Sequence, residues 1–208
     1  MSASRRQTLL AGATVGICAV LLALANGLSQ RMSEPLVTAN ERDAAMRVIR
    51  QILPSDVYDN SPANDVIVVR DKDLLGGDQP RRVFRAYQAS APVAVLIETV
   101  APNGYSGPIR LLVGVYRDGR IAAVRVTAHR ETAGLGDRIE RARSDWIDVF
   151  STRSLTTTAE SGWAVRADGG DFDQFTGATV TPRAVVQAVR NALLYFEQHQ
   201  DELFAPAP

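Results

Sequence analysis

Cysteine is almost absent from this sequence. The one cysteine among its 208 residues, Cys18, lies in an apolar N-terminal run. The rest of the chain therefore cannot form a disulfide, ligate an iron–sulfur cluster or build a thiolate zinc site. Histidine is scarce too, and His129 with Glu131 supplies only two potential ligands, so we predict no metal site and expect His129 at the surface. Any redox chemistry must come from a cofactor.

The sequence also lacks an excess of charge of either sign. It has 23 basic and 23 acidic residues, and this balance argues against nucleic acid as a partner. Neither a Gly-x-Gly-x-x-Gly run after a predicted strand nor a phosphate loop with lysine occurs, so the chain shows no nicotinamide or nucleotide triphosphate site of its own. A hydrophobic content of 46% with 22% charged residues is typical of a globular domain.

The N-terminal segment contains a long apolar run. No charged residue occurs between Arg6 and Arg31. About 20 apolar residues at a rise of 1.5 Å span a hydrocarbon core of ~30 Å, and basic residues before the run favour a cytoplasmic N-terminus. The run holds no ionisable residue, so we do not expect this chain to conduct an ion. The predicted order is a cytoplasmic N-terminus (1–8), a transmembrane anchor (9–29) and an exported, periplasmic domain (30–208).

Two alternatives to a retained anchor have sequence support. Ser4-Arg5-Arg6 resembles a twin-arginine signal, and Ala23-Leu24-Ala25 resembles a signal-peptidase site. The apolar run continues past Ala25 to Leu28, which favours retention. In every case the domain leaves the cytoplasm.

The remaining sequence predicts an α+β fold, a mainly antiparallel sheet with flanking helices, because strands and helices are segregated along the chain. Asp118-Gly119 between two β-rich runs predicts a tight hairpin. We predict helices at 34–54, 137–144 and 183–198, the second of them capped by Asp137 with Glu140 reaching back. We predict strands at 66–70, 81–86, 93–100, 111–116, 121–128 and 163–165. The predicted core residues between 145 and 150 are Trp146, Ile147, Val149 and Phe150, and 151–161 is predicted to be a surface loop.

The most informative segment runs from Asp173 to Pro182, Asp-Gln-Phe-Thr-Gly-Ala-Thr-Val-Thr-Pro. Pro182 suits the first position of a helix, and Thr181 suits the cap before it. A helix N-terminus offers free N–H groups and the positive end of the helix dipole, so a phosphate esterified to Thr179 would be stabilised there. An ordinary capped loop before a helix is the alternative that these residues leave open.

Three motifs in one order resemble a known family. Asp173-Gln-Phe-Thr-Gly-Ala-Thr179 resembles the motif on which a flavin transferase places FMN. Together with 169–172, with Gly-Tyr-Ser-Gly-Pro-Ile at 104–109 and with His-Arg-Glu-Thr-Ala-Gly-Leu-Gly-Asp at 129–137, it resembles the G subunit of the bacterial Rnf (Rsx) electron transport complex. That family is related to the C subunit of the sodium-translocating NADH:quinone reductase. Gln174 replaces a common glycine and Ala133 a common proline.

The resemblance implies a flavoprotein with FMN bound covalently to Thr179 through a phosphoester. A separate magnesium-dependent flavin transferase would attach it from FAD, because a threonine hydroxyl is a poor nucleophile without an adjacent base. Asp173 and Thr176 would serve the recognition of the motif by that enzyme. Arg166 is a candidate contact to the phosphate. The implied FMN-binding residues are Thr176, Gly177, Ala178, Thr179, Glu131, Thr132, Gly134, Leu135 and Tyr105.

The resemblance also implies that the chain is a subunit of a larger complex. The complex is a translocase of the bacterial inner membrane that couples electron transfer between reduced ferredoxin and NAD to ion movement. This chain would relay electrons between partner subunits, and we assign no catalytic residue to it in isolation. The alternatives are a stand-alone, membrane-tethered flavin reductase and an anchored, non-redox binding or scaffold module.

Overall fold

A computed structural model describes residues 39–205 and, before them, residues 16, 19–20 and 22–23, which are helical. The chain divides into two compact units, Met1–Ala44 and Ala45–Pro208. The anchor predicted for 9–29 and the segment 1–8 lie almost wholly outside the described residues. Among the residues that are described, no helix is both long and apolar enough to cross a membrane.

A five-stranded sheet forms the centre of the second unit. Its order follows the chain, each strand antiparallel to the next. The predicted hairpin is confirmed: Gly119 has a positive φ of 84°, and its N–H donates to the Tyr116 carbonyl at 2.9 Å. The strands are β1 (Val66–Val69), β2 (Arg81–Gln88), β3 (Ala91–Ala101), β4 (Ile109–Tyr116) and β5 (Ile121–Ala128).

Helices cover both faces of this sheet, which confirms the predicted α+β class. The central strand β3 sends Val95 and Ile97 into one buried cluster and Leu96 into another, because successive side chains of a strand point to opposite faces. The C-terminal part of helix α1, which covers 39–52, completes the cluster that contains Leu96. Helix α2 (Val180–Leu203) completes the cluster that contains Val95 and Ile97. Within 34–54 the predicted helix is thus confirmed over 39–52.

Helix α2 buries the predicted face, including Val185, Val189 and Phe196. It extends beyond the predicted end at Gln198 to Leu203, with a non-helical backbone at His199. The extra turn follows from packing, since Leu203 is buried in the same cluster as Phe196.

The helix predicted for 137–144 is wrong. The structure has a short 3-10 turn at Gly136–Ile139, with Asp137 inside it and without a side-chain cap. Glu140 does not reach back to the turn, because its carboxylate pairs with His129. A tertiary partner therefore takes the side chain that the capping box required. The other 3-10 turns are Pro62–Asn64, Asp145–Phe150, Glu160–Gly162 and Arg166–Asp168.

Two further predictions between β5 and α2 need correction. No strand forms at 163–165, where Val165 makes a single bridge to Phe172. The segment 151–161 is not wholly on the surface, since Ser154 and Thr158 are buried. Of the predicted core residues, Ile147 and Phe150 are fully buried and Trp146 packs against them, but Val149 is exposed because it lies on the outer side of its 3-10 turn.

The close approach of the backbone at Gly76 to that at Val100 allows a test of this packing. Gly76 has a φ of 73°, and a Cβ atom placed on it would lie 2.0 Å from the carbonyl oxygen of Val100. We expect Gly76→Ala to lower the free energy of unfolding by about 3 kcal/mol or more, because left-handed strain and a backbone clash add. Gly169 has a similar φ of 87° but open space around it, so Gly169→Ala carries the strain alone. Urea denaturation of both variants measures the difference, and equal losses would contradict the packing.

Candidate functional site

The start of helix α2 is set by a tight turn. The Ala178 N–H donates to the Phe175 carbonyl at 3.0 Å, and Gly177 between them has a φ of 81°, which residues with a side chain rarely adopt. Thr179 then occupies the cap position, where its carbonyl accepts the Arg183 N–H at 3.2 Å. Its side chain makes no capping hydrogen bond in the described structure. The Thr179 hydroxyl is thus at the helix mouth without its usual partner.

The predicted cap, Thr181, is not the cap. The helix begins at Val180, so Thr181 is its second residue, and its side chain is fully buried. Its hydroxyl donates to the Glu131 carboxylate instead. Pro182 is the third residue rather than the first, which the helix tolerates because N–H groups of the first turn have no intrahelical acceptor. The N–H groups of Val180 and Thr181 are therefore the donors of this turn.

Glu131 joins the three motifs of the sequence. Its side chain is only 7% exposed, and the Ser106 N–H of the 104–109 turn donates to Oε1 at 2.9 Å. Oε2 accepts from Thr181 at the helix start. Gly136 has no room for a side chain here, since a Cβ atom would lie 2.9 Å from Glu131 Oε2 and 3.0 Å from Thr181 Oγ1. The buried carboxylate of Glu131 thus links the 104–109 turn, the 129–137 loop and the start of helix α2.

The loop after Glu131 is folded on its own backbone. The Thr132 carbonyl accepts N–H groups from Leu135 and Gly136 at 3.2 and 3.0 Å, and Gly134 has a φ of 78°. This fold exposes Leu135 and brings it close to the 173–179 motif: a methyl group placed on Gly177 would lie 3.9 Å from Leu135 Cδ2. Thr132 and Gly134 are exposed on the same loop.

His129 holds the other end of this loop. Its Nδ1 accepts the Glu131 N–H at 2.9 Å, so in the neutral ring the proton lies on Nε2, which is 2.6 Å from Glu140 Oε1. The expectation of a surface histidine was wrong, because the imidazole is largely covered in this pairing. In the described part of the chain, no group of three or more His, Cys, Asp or Glu side chains is arranged to hold a metal ion.

The N-terminal part of the 173–179 motif is held in place by residues that the sequence did not single out for this role. The Trp146 indole N–H donates to the Asp173 carbonyl at 2.7 Å, and its ring lies 5.2 Å from Phe175, edge to face. The Arg138 guanidinium lies over the Phe175 ring at 4.9 Å. Nothing in the spacing of Trp146 and Arg138 along the chain indicates these contacts.

Two ion pairs flank the motif. Arg166 Nη1 lies 2.7 Å from Asp173 Oδ1, so the arginine considered for the phosphate pairs with the motif carboxylate. Arg183 pairs with Asp168 at 2.5 Å, and its hydrogen bond holds the pKa of that carboxyl below the ordinary value. Both pairs are exposed to water, so they orient side chains more than they stabilise the fold.

The surface around the helix mouth suits a flat, partly apolar group. Tyr105, Leu135 and Val180 are large apolar side chains that are 73%, 44% and 39% exposed. They lie on the three segments that Glu131 joins. An uncapped hydroxyl, two helix N–H donors and exposed apolar side chains fit the phosphate and ring of a flavin nucleotide.

Comparison with known families agrees with this chemistry. The FMN-binding domain family matches residues 104–194, a range that includes the 104–109 turn, the 129–137 loop and the 173–179 motif. The chain therefore contains an FMN-binding domain.

Curated relatives extend over almost the whole chain. A protein of Pseudomonas aeruginosa, named as the G subunit of an ion-translocating oxidoreductase complex, is 45% identical over 205 residues, which is 99% of this chain and 96% of the relative. Proteins of the same name from Shewanella baltica and Pseudoalteromonas atlantica are 42% and 43% identical, and cover 91% and 81% of this chain and 87% and 79% of those proteins. The chain belongs to this family, the G subunits of ion-translocating oxidoreductase complexes, which confirms the predicted resemblance.

The Glu131–Thr181 hydrogen bond can be tested by a double-mutant cycle. Thr181→Val keeps the shape of the side chain but leaves Glu131 Oε2 without this donor, which costs about 1–3 kcal/mol. Glu131→Gln should cost a similar amount, and because the two side chains share one bond the double variant should lose less than the sum, by about 1 kcal/mol. Thr132→Val, on the exposed loop, should stay within ~0.5 kcal/mol. Additive losses in urea denaturation would contradict the contact.

Proposed function

We propose that this chain carries FMN in phosphoester linkage to Thr179 and relays electrons within an ion-translocating oxidoreductase complex. The observation that carries the proposal is the position of Thr179: its hydroxyl lies at the mouth of a 24-residue helix and makes no capping bond in the described structure. The names of the relatives support the wider assignment, since they are subunits of such a complex.

The helix mouth supplies the environment for the phosphate. The N–H groups of Val180 and Thr181 would donate to its oxygens, and the positive end of the helix dipole would favour its charge. Because Thr181 directs its hydroxyl to Glu131, no second hydroxyl of the helix start competes for this place. Arg183 lies one turn along the helix, and its charge is balanced by Asp168, so the helix N–H groups would be the main donors to the phosphate.

Attachment would require a separate flavin transferase. A threonine hydroxyl needs an adjacent base to act as a nucleophile, and His129 has its ring engaged by Glu140 and the Glu131 N–H. In the transferase, Thr179 Oγ would bond to the flavin-side phosphorus of FAD, the bond from that phosphorus to AMP would break, and the hydroxyl proton would pass to a base of that enzyme. Thr176 and Asp173, exposed on the motif, would serve recognition.

The other site residues would hold the cofactor without covalent bonds. Leu135 and Tyr105 offer apolar surface, and Thr132, Gly134, Gly177 and Ala178 give backbone that a flat ligand can approach closely. Glu131 would act through Thr181 and Ser106 by keeping these segments together. Bound FMN would supply the redox chemistry, and the protein would supply its orientation and electrostatic environment.

The proposed function also implies where the domain lies in the cell. A single anchor at 9–29 would hold the domain at the periplasmic side of the inner membrane, beside the other subunits. A tether raises the effective concentration of the flavin at partner sites and prevents its loss into the exported compartment.

Replacement of the attachment residue is the direct test of the linkage. The chain coexpressed with a flavin transferase should give a fluorescent band in a denaturing gel. Thr179→Val should abolish the band, because valine has no oxygen to esterify. Thr127→Val, at an exposed threonine of β5 that belongs to none of the three motifs, is the matched control and should keep the band. A band of normal intensity from Thr179→Val would place the linkage elsewhere, and no band from the unaltered chain would favour a non-redox scaffold.

The role of Asp173 can be separated from its ion pair. If the transferase binds this carboxylate, Asp173→Ala should slow attachment roughly tenfold or more, the value of one lost charge-assisted hydrogen bond. Arg166→Ala breaks the same ion pair but leaves the carboxylate, so it should attach FMN at the normal rate or faster. Time courses of band fluorescence measure both. Equal slowing by the two variants would show that the ion pair alone matters.

A further inference from the structure

Three exposed arginines belong to the segments that surround the mouth of helix α2. Arg110 directly follows the 104–109 turn, Arg130 lies within the 129–137 loop, and Arg138 directly follows that loop. We call Arg110, Arg130 and Arg138 the arginine rim. Because Glu131 holds the turn and the loop against the helix start, these three positive charges border one surface.

The third motif segment fixes the position of Arg138. Its guanidinium lies over the Phe175 ring at 4.9 Å, and this ring packs edge to face on Trp146. A cation is attracted to the face of an aromatic ring, so the contact restricts the arginine side chain. A side chain that is already restricted loses less conformational entropy when a partner binds. Arg138 is therefore preorganised for an interaction at the surface.

The acidic residues around the helix mouth do not neutralise the arginine rim, because they already have basic partners. These pairs are Glu140 with His129, Asp137 with Arg143, Asp168 with Arg183, Asp171 with Arg153, and Asp173 with Arg166. Among the residues that the structure describes, no carboxylate lies within ion-pair distance of the arginine rim. A phosphodiester at Thr179 would carry less charge than three arginines, so the surface stays positive with FMN attached.

The surface that the arginine rim borders also has an apolar part. Tyr105 is 73% exposed, and Leu135 and Val180 are exposed as well. The proposed FMN would cover some of this apolar surface, and Tyr105 is the most exposed of the three side chains. Tyrosine and arginine are the residue types enriched at the centres of protein interfaces, because each buries a large area and still offers hydrogen-bond donors.

We infer that Tyr105 and the arginine rim dock an acidic surface of another subunit of the complex, the electron-transfer partner of the flavin. The inference rests on the proposed function, because electrons must reach or leave the flavin through the surface beside Thr179. Guanidinium groups bind carboxylates in bidentate pairs, so Asp and Glu side chains of the partner would complement the rim. Anionic lipid headgroups would also complement the charge, but they hold no redox group that could exchange electrons with a flavin.

Photo-cross-linking in native membranes tests this docking. In the full-length chain, Tyr105 is replaced by the photoreactive aromatic residue p-benzoylphenylalanine, and the membranes that contain the complex are illuminated. We expect a covalent adduct with another subunit of the complex, and mass spectrometry should locate the adduct beside a stretch rich in Asp and Glu. An adduct with lipid, an adduct with a stretch that lacks acidic residues, or the absence of an adduct would overturn the inference.

Charge reversal shows whether the arginine rim is responsible. With the same probe at position 105, Arg138→Glu should lower the yield of the subunit adduct about three- to tenfold, because an attraction becomes a repulsion. Arg117→Glu is the matched control, since Arg117 is also exposed and also lies over a phenylalanine, Phe204 at 5.6 Å, but at the other end of β4. It should leave the yield unchanged. Equal yields from the two variants would overturn the inference.

Two further readings keep the result interpretable. Arg130→Glu repeats the charge reversal at a residue without an aromatic contact in the described structure, so it should lower the yield of the adduct even if Arg138→Glu fails to fold. The covalent flavin band is measured on the same samples. Its absence from the unaltered protein would contradict the proposed linkage, whereas a normal band with an unchanged adduct in Arg130→Glu would contradict the docking surface alone.

Discussion

The arrangement of this domain depends on the buried carboxylate of Glu131. It accepts the Ser106 N–H and the Thr181 hydroxyl, and the backbone N–H of the same residue donates to His129. Removal of a carboxylate from water costs free energy unless its oxygens gain partners, so the loop is stable only when the 104–109 turn and the start of α2 are both in place. The three motifs are distant in sequence but form one surface because they share this residue.

The hydrogen bond from Thr181 to Glu131 leaves the Thr179 hydroxyl available for the proposed attachment of FMN. At most helix starts a side-chain oxygen near the cap satisfies the first N–H groups. Here Thr181, which the sequence offers for that task, is inside the helix and turned to Glu131. Thr179 takes the cap position without capping, so its oxygen and the N–H groups beyond it remain together at the helix mouth in the described structure. Because the Thr179 side chain does not cap the helix, the N–H groups of the first turn stay available beside its hydroxyl.

The sequence predicted most of the sheet because local signals decide it. The β-branched runs and the Asp118-Gly119 turn require no knowledge of distant residues, and the strands they predicted are all present apart from 163–165. The predictions failed where a residue distant in sequence determines the local structure. Glu140 was predicted to reach back to a helix cap at Asp137 but pairs with His129, and Thr181 was predicted to cap α2 but bonds to Glu131. Trp146 could not be connected with Asp173 because 27 residues separate them along the chain.

The proposed function requires a covalent bond between Thr179 and a flavin phosphate. The most direct measurement is mass spectrometry of the peptide that spans Thr176 to Thr179, taken from protein purified from its native membrane and fragmented to locate any modification. We expect the peptide to gain the mass of FMN less one water and the fragment ions to place this mass on Thr179. An unmodified peptide, or FMN located on Thr176, would contradict the proposed linkage.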